Sequence, residues 1–131
     1  MRIIVIGGKG LVEQVADALH RAGDEVTVID TEPGREAALA KAGLRAVHGD
    51  ALVPSTLEAA GALRADVLVA CTQSDEDNLV ISLLAKKRFN VPRVIARVND
   101  PANDELFTAS WGVDALVSPA TALVSMIRQQ S

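Results

Sequence analysis

A glycine cluster and an aspartate about twenty residues further on form the most chemically informative pattern in the sequence. The cluster, Gly7–Gly10, follows an apolar run at Ile3–Ile6, and Asp30 ends a second apolar run at Val26–Ile29. Glycines at a strand–helix turn let the backbone approach phosphate groups, which then lie at the helix N-terminus. A carboxylate at the end of the second strand accepts hydrogen bonds from ribose hydroxyls. The pattern therefore predicts a nucleotide site that favours cofactors without a 2′-phosphate.

The glycine pattern is incomplete. An intact pattern has glycine at its first, third and sixth positions. Counted from Gly7, the third and sixth positions are Lys9 and Val12, and counted from the next residue the sixth position is Glu13. Lys9 leaves two interpretations open. Its ammonium group could lie beside a phosphate, or it is a solvated loop lysine in a site that has lost its ligand.

Polar residues also follow the later apolar runs. Gly49–Ala51 follows the third run, and its aspartate could accept a hydrogen bond from an adenine amino group, although Gly-Asp is also an ordinary turn sequence. Thr72 follows the fourth run, and Asn78 lies one turn inside the helix predicted next. Arg97 ends the fifth run, where its cation could meet a phosphate or pair with a nearby acid.

Alternating strands and helices must position these residues. The predicted strands are Ile3–Ile6, Val26–Ile29, Arg45–His48, Val67–Cys71, Val94–Arg97 and Ala115–Val117. The predicted helices are Leu11–Arg21, Gly34–Ala42, Pro54–Ala60, Asp75–Phe89, Ala102–Ser110 and Pro119–Gln129. This alternation predicts an α/β fold, a Rossmann-like doubly wound sheet of six parallel strands in the order 3-2-1-4-5-6. Ligands of such sheets bind beyond the carboxyl ends of the strands, between strands one and four.

Composition agrees with this fold. The chain has 131 residues, which suits one domain, and 49% of them are hydrophobic but only 2% aromatic. An aliphatic core suits parallel strands that are buried on both faces. The net charge of −4 argues against a nucleic-acid surface. No segment reaches the length of a membrane span, and one cysteine cannot form an intrachain disulfide. We expect a soluble cytoplasmic domain that does not insert into a membrane.

Residues along the whole chain match the pattern of a known family. The chain resembles the N-terminal regulator-of-potassium-conductance domain (RCK_N, TrkA-N or KTN) of Trk- and Ktr-type potassium uptake proteins. The matching residues are Gly7, Asp30, Gly49-Asp50-Ala51, Ala65-Asp66, Thr72, Asp75, Asn78-Leu79, Arg97-Val98, Asp100-Pro101, Gly112-Val113-Asp114 and Ser118-Pro119. The resemblance covers nearly the whole chain. It implies a cytosolic, ring-forming regulator that binds NAD(H), or ATP, ADP or AMP, and gates a membrane potassium transporter or channel.

The resemblance and the strand ends together indicate the candidate cofactor-binding residues. These are Gly7, Gly8, Lys9, Gly10, Leu11, Val12, Asp30, Thr31, Gly49, Asp50, Ala51, Cys71, Thr72, Asn78 and Arg97. The family usually has glycine at the positions of Lys9 and Val12, and often an arginine that serves a phosphate at the position of Gly10. Many relatives continue into a C-terminal regulatory domain. We expect residues 1–131 to form one nucleotide-binding domain without it, held at the inner face of the cell membrane by its transporter partner.

Two other functions stay open at this stage. The chain could be an oligomerisation scaffold that has lost nucleotide binding, which the residues at positions 9 and 12 would allow. It could also be a small NAD-dependent oxidoreductase. The sequence lacks a separate substrate domain, and His20 and His48 are isolated, so we predict no catalytic residue and no metal ligand.

The last predicted helix indicates self-association. Ala120, Leu123, Val124 and Ile127 recur at helical spacing, with Met126 beside them. An apolar stripe that is exposed on a monomer marks an interaction surface. In the resembled family the corresponding helix crosses to a neighbouring subunit. We therefore predict a homodimer, or a larger ring built from it.

Overall fold

Six parallel strands form one sheet in the computed structural model, which describes residues 1–8 and 10–129. The strands are β1 (Arg2–Ile6), β2 (Glu25–Asp30), β3 (Arg45–His48), β4 (Val67–Ala70), β5 (Arg93–Arg97) and β6 (Ala115–Val117). Their order across the sheet is β3-β2-β1-β4-β5-β6. The predicted fold class is therefore confirmed. Branched apolar residues dominate β1 and β2 because both faces of these central strands are buried.

Among the described residues, five α-helices connect or follow the strands. They are α1 (Leu11–Arg21), α2 (Glu36–Lys41), α3 (Pro54–Ala59), α4 (Asp75–Lys87) and α5 (Pro119–Arg128). Short 3-10 helices lie at Ala62–Arg64, Pro101–Leu106 and Ala109–Trp111. Ser74 caps α4, since its hydroxyl accepts a hydrogen bond from the backbone N–H of Asp77 at 3.2 Å.

The prediction of a continuous helix at Ala102–Ser110 is wrong. The segment forms two 3-10 helices instead, and the chain leaves helical geometry at Phe107, with φ −84° and ψ 75°. Phe107 is only 4% exposed and packs in the main core. Asp100 starts the segment with a tight turn, because its carboxylate accepts a hydrogen bond from the N–H of Ala102 at 3.0 Å. Burying one aromatic side chain therefore takes precedence over the helical pattern.

The two faces of the sheet have separate cores. One core contains apolar residues of β1 and β2 together with residues of α1 and α2, among them Val5, Val28 and Ala16. The other face carries the larger core, to which α3 and α4 contribute, and its members include Ile6, Leu68 and Ile81. Helices thus cover both faces of β1 and β2, with α1 and α2 on one face and α3 and α4 on the other. The crevice at the carboxyl end opens between β1 and β4.

One part of the sheet is left without a helix. On the face that α1 covers, β4, β5 and β6 line a cavity of about 500 Å³. We call it the apolar hollow, and its lining residues are Met1, Ile3, Leu11, Val15, Leu19, Val67, Val69, Cys71, Arg93, Ile95, Arg97, Val117 and Pro119. The helix α5 follows β6 but has no buried residue, and Leu123, Met126 and Ile127 are 61%, 71% and 66% exposed. Both the hollow and α5 therefore present unpartnered apolar surface.

The N-terminus of α4 is tied to the chain that follows β5 by the carboxylate of Asp75. One carboxylate oxygen accepts the backbone and side-chain N–H groups of Asn99, at 2.6 and 3.0 Å. The other accepts the N–H of Asp100 at 3.0 Å and the side chain of Asn103 at 2.8 Å. Burial alone would raise the pKa of Asp75, but these hydrogen bonds favour the charged form and hold its pKa below the ordinary value.

We predict that Asp75→Asn lowers stability at neutral pH by about 1–2 kcal/mol, because an amide cannot accept all four hydrogen bonds. A carboxyl group with a lowered folded-state pKa stabilises the protein above its unfolded pKa, about 3.9. That stability is lost as pH falls through the folded-state pKa. Urea unfolding of both proteins should give a constant difference above about pH 5 and a shrinking one in more acid solution. A difference that persists unchanged in acid would contradict this role.

Candidate functional site

The turn between β1 and α1 requires glycine at its first position. The N–H of Gly7 donates to the carbonyl of Ile29 at 3.2 Å, so the turn is held against β2. A Cβ atom on Gly7 would lie 2.5 Å from the carbonyl oxygen of Cys71 and 2.6 Å from a methyl group of Val12. Val12 is 3% exposed and packs closely against Gly7. Val12, at the sixth position of the glycine pattern, is thus a core residue, and its side chain fits only because Gly7 has no Cβ atom.

The first turn of α1 points its free N–H groups toward the end of the strands. The helix starts after Gly10, whose φ of 86° is in the left-handed region, and its eleven residues run to Arg21. The first N–H groups of any α-helix have no partner within the helix and carry partial positive charge. This arrangement suits a phosphate group. The other candidate phosphate ligand, Lys9, lies outside the described residues.

A cleft of about 210 Å³ opens at the carboxyl ends of β1, β2 and β4. Eight of the predicted site residues line it: Gly7, Gly8, Asp30, Thr31, Gly49, Asp50, Ala51 and Thr72. Ile6, Ile29, Leu52, Gln73, Asp77 and Ile81 complete the lining. The apolar members can contact a flat ring, and the polar members can form hydrogen bonds with a ligand. The structure thus brings the glycine turn and residues from four other parts of the sequence to one crevice.

Asp30 is a buried carboxylate within this cleft. The residue is 8% exposed, and its Oδ1 atom accepts the N–H of Glu32 at 3.0 Å. Its Oδ2 atom accepts a hydrogen bond from the guanidinium group of Arg35. A carboxylate offers about four acceptor positions, so about two remain. That number equals the two hydroxyl groups of a ribose.

The described lining of the cleft is acidic. Asp30, Asp50 and Asp77 contribute carboxylates, and none of the described lining residues is lysine or arginine. The side chain of Asp50 also closes a turn by accepting the N–H of Leu52 at 2.9 Å. Carboxylates accept hydrogen bonds and repel anions. This part of the cleft is therefore suited to the hydroxyl and amino groups of a nucleoside, and phosphates are better placed at α1.

Asn78 lies beneath the cleft and holds its floor. The residue is 0% exposed. Its side-chain oxygen accepts the N–H and the hydroxyl of Thr72, at 3.0 and 2.7 Å. Its side-chain nitrogen donates to the carbonyls of Thr72 and Arg97, at 3.1 and 2.9 Å. Every hydrogen-bonding position of the amide is used within the protein, so Asn78 positions Thr72 where the sequence predicted a ligand contact.

Three predicted site residues face the apolar hollow. Leu11, Cys71 and Arg97 line the hollow, on the face of the sheet that α1 covers. Arg97 shares this face with Arg93 and Ile95 at a spacing of two, whereas Val94 and Ala96 are buried in the other core. That period-two alternation was present in the sequence and could have indicated the direction of the Arg97 side chain.

The described residues contain no group of three or more His, Cys, Asp or Glu side chains that could hold a metal ion. Neither histidine lines the cleft: His48 Nε2 lies 2.9 Å from the carbonyl of Thr31, and His20 packs near Gly43. Over the same residues, no helix is both long and apolar enough to cross a bilayer.

Comparison with known proteins identifies the family. The model of the TrkA-N domain matches residues 3–119. The chain belongs to the TrkA-N domain family. A Trk system potassium uptake protein TrkA of Mycobacterium tuberculosis is 42% identical over 131 residues, and the match covers 98% of this chain but 59% of that protein. The chain thus spans little more than half of this curated relative.

Solved structures share the fold. The TrkA-N domain of the inner membrane protein YbaL from Escherichia coli superposes with a TM-score of 0.88 at 18% identity, covering 98% of this chain and 94% of that one. A GsuK structure bound to ADP gives a TM-score of 0.76 at 28% identity, and the match covers 97% of this chain and 33% of that one. The GsuK channel bound to NAD gives a TM-score of 0.80 at 21% identity, and the match covers 94% of this chain and 22% of that one. The chain is thus similar in sequence to a potassium uptake protein, and it shares its fold with structures solved with NAD and with ADP.

In this TrkA-N domain, we predict that Asn78→Ala costs about 2–4 kcal/mol, because the Thr72 N–H and the Arg97 carbonyl lose the side chain that they bond. Thermal or urea unfolding measures the loss. Gln14→Ala, on the exposed side of α1, is the matched control and should change stability by less than about 0.5 kcal/mol. If the two variants are equally stable, the hydrogen bonds of Asn78 do not hold the cleft floor.

Proposed function

We propose that this chain is a regulatory nucleotide-binding domain of a Trk-type potassium uptake system. It binds NAD(H), or an adenine nucleotide such as ADP, in the cleft between β1 and β4. The nucleotide state is passed through a homodimer, or a larger ring, to a membrane potassium transporter or channel subunit. The domain acts as a regulator and carries no catalytic residue of its own. It works in the cytoplasm, at the inner face of the membrane that holds its partner.

The placement of Asp30 carries this proposal. A buried carboxylate at the end of β2, with acceptor positions to spare, lines the same cleft as Gly7 and Gly8. A ribose at Asp30 would place its 5′-phosphate toward the N-terminus of α1, as in dinucleotide-binding sheets. The proposal is further supported by the GsuK structures with NAD and ADP, and by the TrkA name of the 42% identical relative.

The apolar hollow and α5 support the dimer. Parallel strands are normally covered on both faces, yet β4–β6 lack a helix on one of them. The helix α5 presents Leu123, Met126 and Ile127 to solvent, and it contains no acidic residue. The α5 helix of a second copy offers the apolar surface that the hollow lacks. We propose that two copies each place α5 in the hollow of the other.

Cleft and hollow share a wall, which gives the nucleotide a route to the dimer. Thr72 lines the cleft and the adjacent Cys71 lines the hollow. The two cavities also adjoin at the start of α1, where Gly8 lines the cleft and Leu11 lines the hollow. A ligand that reorders the glycine turn therefore moves residues that contact the second copy. Coupling of this kind requires that the ligand bind the two arrangements with different affinity.

Mass spectrometry of protein purified under native conditions tests the proposal. A bound adenine nucleotide, released on denaturation, is the expected result. Protein without nucleotide that also fails to bind added NADH or ADP would contradict nucleotide regulation. Together with a stable dimer, that result would favour the scaffold function, for which the hollow and α5 suffice. Hydride transfer to an added substrate would instead favour an oxidoreductase.

We predict that Asp30→Ala weakens NADH binding by about 1–3 kcal/mol, because the ribose hydroxyls lose their acceptor. The parent protein should bind NADH at least about tenfold more tightly than NADPH, since the carboxylate repels a 2′-phosphate. Isothermal titration calorimetry measures both effects. Asp17→Ala serves as the charge-matched control, since the Asp17 side chain is 43% exposed, pairs with Arg21 and does not line the cleft, and this change should leave both affinities unchanged. Equal affinity of the parent for NADH and NADPH would argue against a ribose at Asp30.

We predict a homodimer in solution that depends on α5. Light scattering at tens of micromolar should give twice the chain mass for the parent protein and the chain mass when Leu123 and Ile127 are both changed to Gln. Changing Leu63 and Leu106 to Gln is the matched control, since both are at least half exposed, at 65% and 50%, and lie outside α5 and the hollow. A monomeric parent rejects the dimer, and a dimeric α5 variant places the interface elsewhere.

A further inference from the structure

An arginine buried beside the cleft pairs with two carboxylates from different elements. Arg35 precedes α2, and its side chain is 8% exposed. Its guanidinium group pairs with Asp30 at the end of β2 and with Glu13 in the first turn of α1. A buried guanidinium group is costly unless charges and hydrogen bonds surround it. The three side chains therefore form one ion-paired cluster, in which the buried Arg35 depends on both carboxylates.

The chain bends to bring Arg35 to this position. Gly34 has a φ of 84°, in the left-handed region, and it follows Pro33 in the loop after β2. The carbonyl of Arg35 accepts the N–H of Leu39 at 3.0 Å, and Leu39 is buried in the core under α2. The arginine backbone is thus anchored by α2. Its side chain reaches from there to β2 and α1, the two elements that flank the proposed phosphate and ribose positions.

Arg35 does not line the cleft, although Asp30 does. The guanidinium group occupies one position of Oδ2 and the N–H of Glu32 occupies one of Oδ1, so each oxygen keeps an acceptor position. Arg35 also offsets one of the two negative charges that Asp30 and Glu13 place near the phosphate position. A guanidinium group held by two carboxylates is not free to pair with a 2′-phosphate.

We propose that Arg35 is a positioning residue that fixes the Asp30 carboxylate for a ribose 2′-hydroxyl, and that Glu13 holds Arg35 in place. This inference rests on the proposed nucleotide function. It concerns how the site recognises the ribose 2′-hydroxyl, so the quantity that tests it is the ratio of the dissociation constants for 2′-deoxy-ADP and ADP. A change that affects the fold or the phosphate position alone weakens both ligands equally and leaves this ratio unchanged.

Calorimetric titration of the parent and of Arg35→Gln with ADP and with 2′-deoxy-ADP tests the proposal. The parent should bind 2′-deoxy-ADP about tenfold more weakly, since a hydrogen bond to a charged group is lost. Arg35→Gln should bring the ratio to within about threefold of one, with most of the loss in ADP affinity, and Arg35→Lys should restore part of it. Arg21→Gln, which breaks an exposed ion pair with Asp17 on α1, should keep the parent ratio.

Glu13→Gln keeps the experiment decisive if Arg35→Gln does not fold, because Glu13 is partly exposed, with a side chain 46% accessible. It should lower the parent ratio at least about twofold, even if removing an acid strengthens the binding of both ligands. A parent ratio preserved in Arg35→Gln, or in Glu13→Gln if the first is unfolded, overturns the positioning role and leaves the proposed function standing. A parent protein that binds neither ligand overturns both.

Discussion

The need to cover both faces of a parallel sheet determines most of this structure. Helices α1 and α2 pack on one face of β1 and β2, and α3 and α4 pack on the opposite face, where their core reaches from β2 to β5. Because the helices that follow β1 and β4 lie on opposite faces of the sheet, a crevice opens between the carboxyl ends of these two strands. The same arrangement leaves β4–β6 bare on the side of α1. The candidate ligand site and the candidate assembly surface therefore both follow from the winding of the chain.

Polar side chains then turn the crevice into a specific site. Asn78 uses its whole amide to hold the backbone at Thr72, and Asp75 ties the start of α4 to the loop after β5. These contacts connect the carboxyl ends of β4 and β5 to the start of α4. On the other side of the crevice, Asp30 is held by Arg35. A cleft whose polar groups are fixed before binding loses less entropy when a ligand binds.

Much of the fold could be predicted from the sequence because the signals are local. Apolar runs indicate the six strands, and the place of Asp30 in the cleft follows from its spacing to the glycine turn. The continuous helix at Ala102–Ser110 was wrong because burial of Phe107 depends on the distant core. Arg35 was missed because its partners lie in two other elements. The sequence does place an arginine after a Pro-Gly turn, five residues beyond the acid that ends β2. That spacing alone does not show that the two side chains pair.

A crystal structure of the protein with ADP would test the central claim most directly. We expect the ribose hydroxyls within hydrogen-bonding distance of the Asp30 carboxylate and the diphosphate at the N-terminus of α1. We also expect Arg35 to remain paired with Asp30 and Glu13. ADP bound outside the cleft, or with its ribose away from Asp30, would contradict the proposed site.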